Sequence, residues 1–184
     1  CEFAEELPHI KGPLAGQNIR LEGWQCFILT TVFGWRKRAT GTRRFRRAYT
    51  EVPRGNAKST LSSGVGLKAA FADGEGGAEV YSAATTRDQA RIVFKDAQAM
   101  ARRRPELCRE LGVEVLAHDI VQSSTASKFT ALASDSNSLD GLNIHFAAVD
   151  ELHAHKTREV YDVLETGTGK RPQSMLWSIT TAGS

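Results

Sequence analysis

The spacing of apolar and polar residues along the chain predicts an alternation of strands and helices. Short apolar or β-branched runs predict strands at 47–52, 78–84, 119–124, 128–134, 143–150 and 174–183. Apolar residues at helical spacing predict helices at 19–35, 58–72, 85–103 and 157–169. Strands that alternate with helices are typical of an α/β fold with a mainly parallel central sheet flanked by helices. Helix 58–72 is rich in small residues, so we expect it to pack closely on that sheet.

Length, cysteine content and hydropathy narrow the class of protein. A chain of 184 residues is long enough for one substantial domain. Its three cysteines are far apart, which argues against a disulfide framework or a zinc ribbon and favours a reducing, intracellular setting. No apolar run reaches the ~20 residues of a membrane-spanning helix, so we expect no membrane partner. The chain starts with Cys1 and stops soon after a predicted strand, so we interpret it as a fragment.

The net charge of +3 conceals an uneven distribution of basic residues. The segment 35–47 contains seven basic residues and no acidic one. Such a segment can bind the phosphates of a nucleic acid, or it can be a solvated loop without a partner. The residues in it that could contact a nucleic acid are Arg36, Lys37, Arg38, Arg43 and Arg44.

The strand at 47–52 leads into the segment VPRGNAKST, residues 52–60, and then into a helix. This order of strand, glycine-containing loop, Lys-Ser and helix is the context of a phosphate-binding loop. Lys58 would contact the β- and γ-phosphates, and Ser59 would bind Mg²⁺. Arg54 could stabilise charge on the γ-phosphate during transfer. The two glycines of the usual motif are absent, so an ordinary strand-to-helix turn is the alternative.

The strand at 143–150 ends in two adjacent carboxylates, Asp150 and Glu151. A phosphate-loop ATPase needs one acid for the Mg²⁺ shell and one group that orients the attacking water, and these two residues would serve those roles. The alternative is a transition-metal site made by Asp150 with His145, His153 and His155. The last two lack the i, i+4 spacing of an HExxH motif, so we favour structural or γ-phosphate-sensing roles for them.

Two further positions are ambiguous when they are considered alone. Gln25 could pair with the edge of adenine, or it could be an ordinary surface glutamine. Thr180 and Thr181 follow apolar residues at the end of the last strand, where ligands bind in open α/β sheets. They could contact the γ-phosphate or the attacking water, or they could satisfy their own turn.

Together these segments resemble the large subunit of tailed-phage terminases. The resemblance covers nearly the whole chain and rests on LEGWQCFILTTVFGW, EVPRGNAKS, GLNIHFAAVDELHAHKTREVYDVLETGTG and SITTAG, in this order. An Arg-bearing phosphate loop without its first glycine, the DELHAH after the acidic strand and the closing TTAG are typical of that family. The resemblance implies the N-terminal ATPase domain, a three-layer P-loop NTPase of the additional-strand type. It places the SITTAG strand between the other two motif strands.

The resemblance also implies a set of site residues. The nucleotide would be ATP with Mg²⁺, the catalytic residues would be Glu151, Lys58 and Arg54, and Ser59 and Asp150 would bind the metal. The nucleotide-binding residues would be Gln25, Pro53, Arg54, Gly55, Asn56, Ala57, Lys58, Ser59, Thr60 and Asp150. The residues that couple hydrolysis to movement would be Thr180, Thr181 and Gly183. The candidates for an arginine that acts on a neighbouring subunit are Arg87, Arg102, Arg103, Arg104 and Arg158.

Domain organisation and partners follow from the same resemblance. Residues 1–184 would form one ATPase domain, with an adenine-side helix and the basic loop in 1–46 and the P-loop core in 47–184. The family's C-terminal nuclease domain would be absent from this chain. The motor would move double-stranded DNA into a preformed capsid through sequence-independent backbone contacts, in the cytoplasm of a bacterial host. It would act as a ring of about five subunits on the portal protein, with the terminase small subunit as a further partner.

Two other functions stay open from the sequence. DELH reads as a DExH box, so a helicase-like nucleic-acid translocase is one alternative. A non-hydrolysing nucleotide-binding module is the other, because the phosphate loop lacks the usual glycines. Lys58, Ser59, Asp150 and Glu151 are all present and argue against the second alternative.

Overall fold

The computed structural model describes residues 1–84, 86–132, 141–151 and 159–181. The helices are α1 (Glu2–Glu5), α2 (Gly23–Gly34), α3 (Lys58–Phe71), α4 (Arg87–Arg102), α5 (Pro105–Leu111) and α6 (Glu159–Gly167), with a 3₁₀ turn at Thr168–Lys170. The strands are β1 (Arg47–Val52), β2 (Glu79–Ala83), β3 (Val113–Val115), β4 (Asp119–Gln122), β5 (Ser127–Ala131), β6 (Ile144–Asp150) and β7 (Met175–Thr181).

The strands of the described residues form one sheet in the order β1-β7-β6-β2-β5-β4-β3. The first five strands in this order, β1, β7, β6, β2 and β5, run parallel to one another. Strands β4 and β3 extend the sheet beyond β5 with antiparallel pairs. The predicted α/β class with a mainly parallel sheet is therefore confirmed. So is the position of the last strand, because β7 lies between β1 and β6.

Helices cover both faces of the sheet, so β6 and β7 are buried along their whole length except for their last residues. Successive side chains of a strand point to opposite faces. In β6, Phe146 and Ala148 accordingly join a core cluster with residues of α2, α3 and α4. Ala147 and Val149 join a second cluster with Leu164 of α6. The result is a three-layer arrangement, as expected.

The small residues of α3 allow it to approach the sheet closely. A Cβ atom on Gly66 would lie 2.7 Å from ring carbons of Phe129 on β5, which is closer than real contacts of this kind. A larger side chain at this position would therefore push the helix away from the sheet. The expected close packing of this helix is confirmed.

Several elements differ from the sequence-based expectation. The helix predicted to begin at residue 19 begins at Gly23, because Glu22 and Gln25 form a capping box that starts α2. Helices α1 and α5 and strand β3 were not predicted, and all three are short. Pro105 at the first turn of α5 and Gly112 after its end are the usual start and stop signals of a helix, but seven residues between them show little periodicity. In the described part of the chain, no helix is long and apolar enough to span a membrane.

Candidate functional site

The loop between β1 and α3 has the backbone of an anion-binding turn. Gly55 and Ala57 have φ values of 83° and 52°, and α3 begins at the next residue, Lys58. The amide of Asn56 donates a hydrogen bond to the carbonyl oxygen of Pro53 at 3.1 Å, which closes the loop on itself. A tight loop that runs directly into a helix N-terminus is the arrangement that binds phosphate.

Residues from two distant strand ends meet Lys58 at the end of this loop. The Lys58 Nζ atom lies 2.6 Å from Glu151 Oε1 and also contacts the Thr181 hydroxyl. The Thr181 hydroxyl donates to Glu151 Oε1 at 2.6 Å, and its backbone N–H donates to Glu151 Oε2 at 3.3 Å. The phosphate loop, the end of β6 and the end of β7 are thus joined through one carboxylate. We refer to Lys58, Glu151 and Thr181 as the upper cluster.

The backbone of Glu151 is held in an uncommon conformation. Its φ value is 50°, in the left-handed region that costs a residue with a side chain roughly 1–3 kcal/mol. Its N–H contacts the Asp150 Oδ1 atom at 3.0 Å and the Ile179 carbonyl oxygen at 2.9 Å. These contacts turn the chain sharply after β6 and direct the Glu151 carboxylate toward Lys58.

The two adjacent carboxyl groups differ in acidity. Burial alone would raise the pKa of Glu151, but hydrogen bonds from Lys58 and Thr181 lower this pKa to about 2. Burial raises the pKa of Asp150, and the charge of Glu151 adds to this effect against the attraction of Lys58. Glu151 is therefore ionised at neutral pH, the state in which a carboxylate can accept a proton, whereas Asp150 would gain from a nearby cation.

The oxygen ligands of the site suit a hard divalent cation. Ser59 lies in the first turn of α3, and Asp150 ends β6. A hydroxyl and a carboxylate are the ligands that Mg²⁺ prefers. The raised pKa of Asp150 indicates that the surrounding protein does not fully compensate its charge. These residues therefore fit Mg²⁺.

The hypothesis of a transition-metal site that includes both His145 and Asp150 is wrong. His145 precedes Asp150 by five positions on one extended strand, so the two lie about 16 Å apart. Across the described ranges, no three His, Cys, Asp or Glu side chains form a group that could hold a metal ion. His153 and His155 lie outside those ranges.

A cavity of about 220 Å³ opens beside the phosphate loop. Gly55, Asn56, Ala57 and Thr60 line one side, and the segment that contains Gln25 lines the other. Only 7% of Gln25 is exposed, so the interpretation as a surface glutamine is wrong. Its amide oxygen accepts the N–H of Glu22 at 2.9 Å in the helix cap, which leaves the NH₂ group as the one that could donate to a ligand.

Comparison with known proteins supports this interpretation. Residues 23–184 match the family model described as terminase large subunit, ATPase domain. The chain belongs to this family. The terminase domain is also 50% identical over 44 residues to protein YmfN of Escherichia coli strain K12, a match that covers 24% of this chain and 10% of YmfN.

Two solved terminases share the fold of this terminase domain. The large terminase of bacteriophage HK97 superposes with a TM-score of 0.79 at 23% identity, over 98% of this chain and 36% of that one. The large terminase of the thermophilic bacteriophage D6E, in complex with ADP, superposes with a TM-score of 0.55 at 14% identity. That match covers 87% of this chain and 39% of the D6E chain. The terminase domain therefore spans only a part of each relative's length.

The remaining predicted residues occupy different environments in the terminase domain. Pro53 and Arg54 are exposed on the loop. Thr180 is buried, whereas Thr181 is half-buried in the upper cluster, because neighbouring residues of a strand face opposite sides. Thr180 and Thr181 therefore point to opposite faces of the sheet, and only Thr181 belongs to the upper cluster. Gly183 lies outside the described residues.

The arginine candidates are also distinguished by the structure. Arg103 donates to the His9 carbonyl oxygen at 3.0 Å, and Arg104 donates to the Glu6 carbonyl oxygen at 2.7 Å. These two side chains attach the N-terminal segment to the terminase domain. Arg102 is exposed, while the Arg87 side chain and Arg158 are not among those that the structure describes.

A second charged cluster lies at the amino ends of the parallel strands, opposite the carboxyl ends that carry the phosphate loop, and was missed by sequence reasoning. Asp73, just after α3, contacts Arg43, Lys68 and His145, and its distance to His145 Nε2 is 2.7 Å. Burial would raise the pKa of Asp73, but the hydrogen bond with His145 and the charges of Arg43 and Lys68 hold it well below the usual range. We refer to these four residues as the lower cluster.

Arg43 therefore does not contact DNA, contrary to the expectation from the basic segment. Its side chain is 1% exposed, packs over the Phe33 ring at 5.0 Å and donates to the Gln173 carbonyl oxygen at 3.1 Å. Its neighbours Lys37, Arg38 and Arg44 remain exposed. The sequence gives no local signal that separates Arg43 from its exposed neighbours, because its acidic partner Asp73 is 30 positions away.

Proposed function

We propose that this chain hydrolyses ATP with Mg²⁺ and that, within a longer terminase large subunit, hydrolysis drives double-stranded DNA into a procapsid. The observation that carries the proposal is the upper cluster. It joins the lysine of a phosphate loop to an ionised carboxylate and to the end of the neighbouring strand. Membership of the ATPase family and the ADP complex of the D6E terminase support nucleotide binding.

In this proposal the phosphate loop and the cavity beside it hold the nucleotide. Backbone N–H groups of residues 54–60 bind phosphate oxygens, and Gln25 donates to the base. The γ-phosphate takes the place of the Glu151 carboxylate on Lys58, because both are anions and the Lys58 contact is partly open to solvent. Arg54, exposed on the loop, adds a second cation for the charge that develops on the γ-phosphate.

Release of Glu151 from Lys58 frees it for chemistry. Its ionised carboxylate orients the attacking water and accepts a proton from it. Ser59 and Asp150 are the residues that would hold Mg²⁺. When bound, the ion supplies Lewis-acid polarisation of the phosphate oxygens. Thr181 contacts both Lys58 and Glu151, so the replacement of Glu151 by the γ-phosphate on Lys58 changes the contacts at the end of β7.

The motor partners belong to the same proposal. Ring ATPases complete each site with an arginine of a neighbour, and the exposed Arg102 is the described candidate that makes no anchoring contact. The DNA, a ring of about five subunits, the portal protein and the small subunit are inferred from the family. The site of action would be the cytoplasm of a bacterial host.

The test is Mg²⁺-dependent ATP hydrolysis over a series of protein concentrations, for this chain and for Glu151→Ala. We expect a rate per molecule that rises with concentration, because neighbours complete the site, and a loss of turnover in the variant. Glu110→Ala, at an exposed position of α5, is the matched control and should retain the wild-type rate. Tight ATP binding by the wild-type chain without turnover at any concentration would instead indicate a nucleotide-binding module.

A further inference from the structure

A groove of about 340 Å³ lies between α4 and the turn that precedes β4. Arg91 and Lys95 line it from α4, and His118 lines it from the turn. Thr130 and Ala131 place it at the carboxyl end of β5, on the side of the sheet where the carboxyl ends of the other parallel strands carry the proposed nucleotide site. None of the described residues that line this groove is acidic.

The groove is held open by hydrogen bonds. The Gln98 amide is buried and donates to the carbonyl oxygens of Leu116 at 2.7 Å and Ala117 at 3.3 Å, which fastens the turn to α4. The Thr130 hydroxyl donates to the His118 carbonyl oxygen at 3.0 Å, which fastens the same turn to β5. The wall that carries His118 is therefore fixed before any ligand binds.

The cations of the groove lack the close acidic partners that several other cations of the molecule have. Lys95 makes no ion pair with any described residue, and the one ion pair of Arg91 is a 4.0 Å contact with Asp88, which is 94% exposed. By contrast, the pairs Lys11–Asp96, Arg47–Glu165 and Arg171–Glu75 have distances of 2.6–2.7 Å. The groove thus concentrates uncompensated positive charge.

The positions of Arg91 and Lys95 also disfavour a purely structural role. They are four residues apart on one helix, so they are neighbours of like charge, an arrangement that destabilises a helix. Four residues of helix correspond to about 6 Å along its axis. A strand of DNA rises 3.4 Å per nucleotide, so two such cations suit phosphates that are one or two nucleotides apart.

We propose that this groove binds the phosphate backbone of double-stranded DNA. The inference rests on the proposed function, since it names a surface by which the motor domain would hold its DNA. The one amide in the lining, that of Gln98, is already bonded to the backbone of the turn. The lining therefore offers no free side-chain amide for adenine edges, and its two cations have the spacing of successive phosphates, so we assign contacts to phosphate that are independent of sequence, as a packaging motor requires.

The experiment compares DNA binding by the wild-type chain, the double variant Arg91→Ala/Lys95→Ala and the control Arg47→Ala/Arg109→Ala. The control removes the same charge from two cations that have acidic partners outside the groove. Binding is measured by fluorescence anisotropy with labelled duplexes of two unrelated sequences, at several KCl concentrations. We expect the groove variant to lose roughly tenfold or more in affinity at low salt. The slope of log K against log salt should fall by about 1.8, or 0.9 for each lost phosphate contact.

Three results would overturn the inference. The first is a groove variant that matches the control in affinity and salt slope, and the second is a wild-type chain that binds no duplex at low salt. The third is competition by tripolyphosphate as strong as competition by DNA at equal phosphate concentration, because the groove would then be a site for small anions. ATP hydrolysis without DNA is measured on the same samples and should be equal in all three proteins. Its absence in the wild-type chain would count against the proposed function and leave the DNA result to decide on the groove.

Discussion

The two charged clusters lie at opposite ends of the parallel strands, and the same kind of ion pair has a different role in each. Each joins a carboxylate to a lysine near an end of α3, Lys58 at its start and Lys68 in its last turn. In the lower cluster, Asp73 and Arg43 are only 5% and 1% exposed. In the upper cluster, Lys58 and Glu151 are 12% and 26% exposed. The lower cluster therefore shields its carboxylate from solvent, although Lys68 itself is 31% exposed, whereas the carboxylate of the upper cluster is open to solvent and ligands.

The two clusters also differ in backbone conformation. Ala57 and Glu151 in and beside the upper cluster have positive φ, and both are residues that disfavour that conformation. No residue of the lower cluster has positive φ. An ion pair alone therefore does not reveal its role. An exposed carboxylate and a strained backbone indicate a site whose partners can exchange, whereas a buried carboxylate on regular backbone indicates a structural contact.

The largest expected effect comes from Glu151→Gln, which removes the charge of the upper cluster and keeps its shape. Turnover of ATP should fall by roughly 10²–10⁴-fold, the usual contribution of a positioned base. ATP affinity should be retained or increased, because a neutral glutamine competes less well for Lys58. Phosphate release measures turnover, and titration with a fluorescent ATP analogue measures affinity. An unchanged turnover, or an affinity lost in parallel with turnover, would contradict the role of Glu151.

Asp73→Asn tests the lower cluster in the same way. It leaves Arg43 buried without a full counter-charge, so the free energy of unfolding should fall by about 3–5 kcal/mol. Urea denaturation measures this change. Asp88→Asn is the matched control, because Asp88 is 94% exposed and its loss should change stability by no more than about 0.5 kcal/mol.

A double variant keeps this test informative if Asp73→Asn fails to fold. Arg43→Met/Asp73→Asn removes both buried charges, so it should recover a large part of the lost stability. Equal stability of the Asp73 and Asp88 variants would show that burial does not distinguish the lower cluster.

Acid should weaken the upper cluster over a defined range. The pKa of Glu151 is lowered from its ordinary 4.5 to about 2 by folding. Its contribution is therefore complete above pH 4.5 and declines as the pH falls toward about 2. At pH values above this range, the wild-type chain should exceed Glu151→Gln in free energy of unfolding by no more than about 1 kcal/mol, because the ion pair is partly exposed. This difference, measured by thermal unfolding, should shrink as the pH falls through the range. A difference that does not vary with pH would contradict the depressed pKa.

The smallest expected effect concerns Ala57. Its left-handed backbone costs about 1–2 kcal/mol, which glycine would avoid, while glycine increases the entropy of the unfolded chain. We expect Ala57→Gly to raise the free energy of unfolding by about 0.5 kcal/mol. Ala72→Gly, at the other end of α3 with a φ of −132°, should lower it. If both variants lower stability equally in chemical denaturation, Ala57 is not strained.

Local patterns in the sequence predicted most of the fold and the chemical types in the site. The spacing of apolar residues predicted six of the seven described strands and four of the helices, since these elements bury one face over several residues. The loop at 52–60 and the carboxylates at 150 and 151 were found because their signals lie within a few residues. Helices α1 and α5 and strand β3 were missed because elements of four, seven and three residues carry few periods of any pattern.

By itself, the sequence determined an α/β domain with a phosphate loop and an acidic strand end, because these features depend on neighbouring residues. Only the tertiary structure decided which charges meet. Arg43 and Arg44 are adjacent in one basic run, yet one is buried on Phe33 and the other is exposed. Likewise, the order of β1, β7 and β6 brings Lys58, Thr181 and Glu151 together. Such pairings depend on packing between residues far apart in the chain, and local spacing carries no information about them.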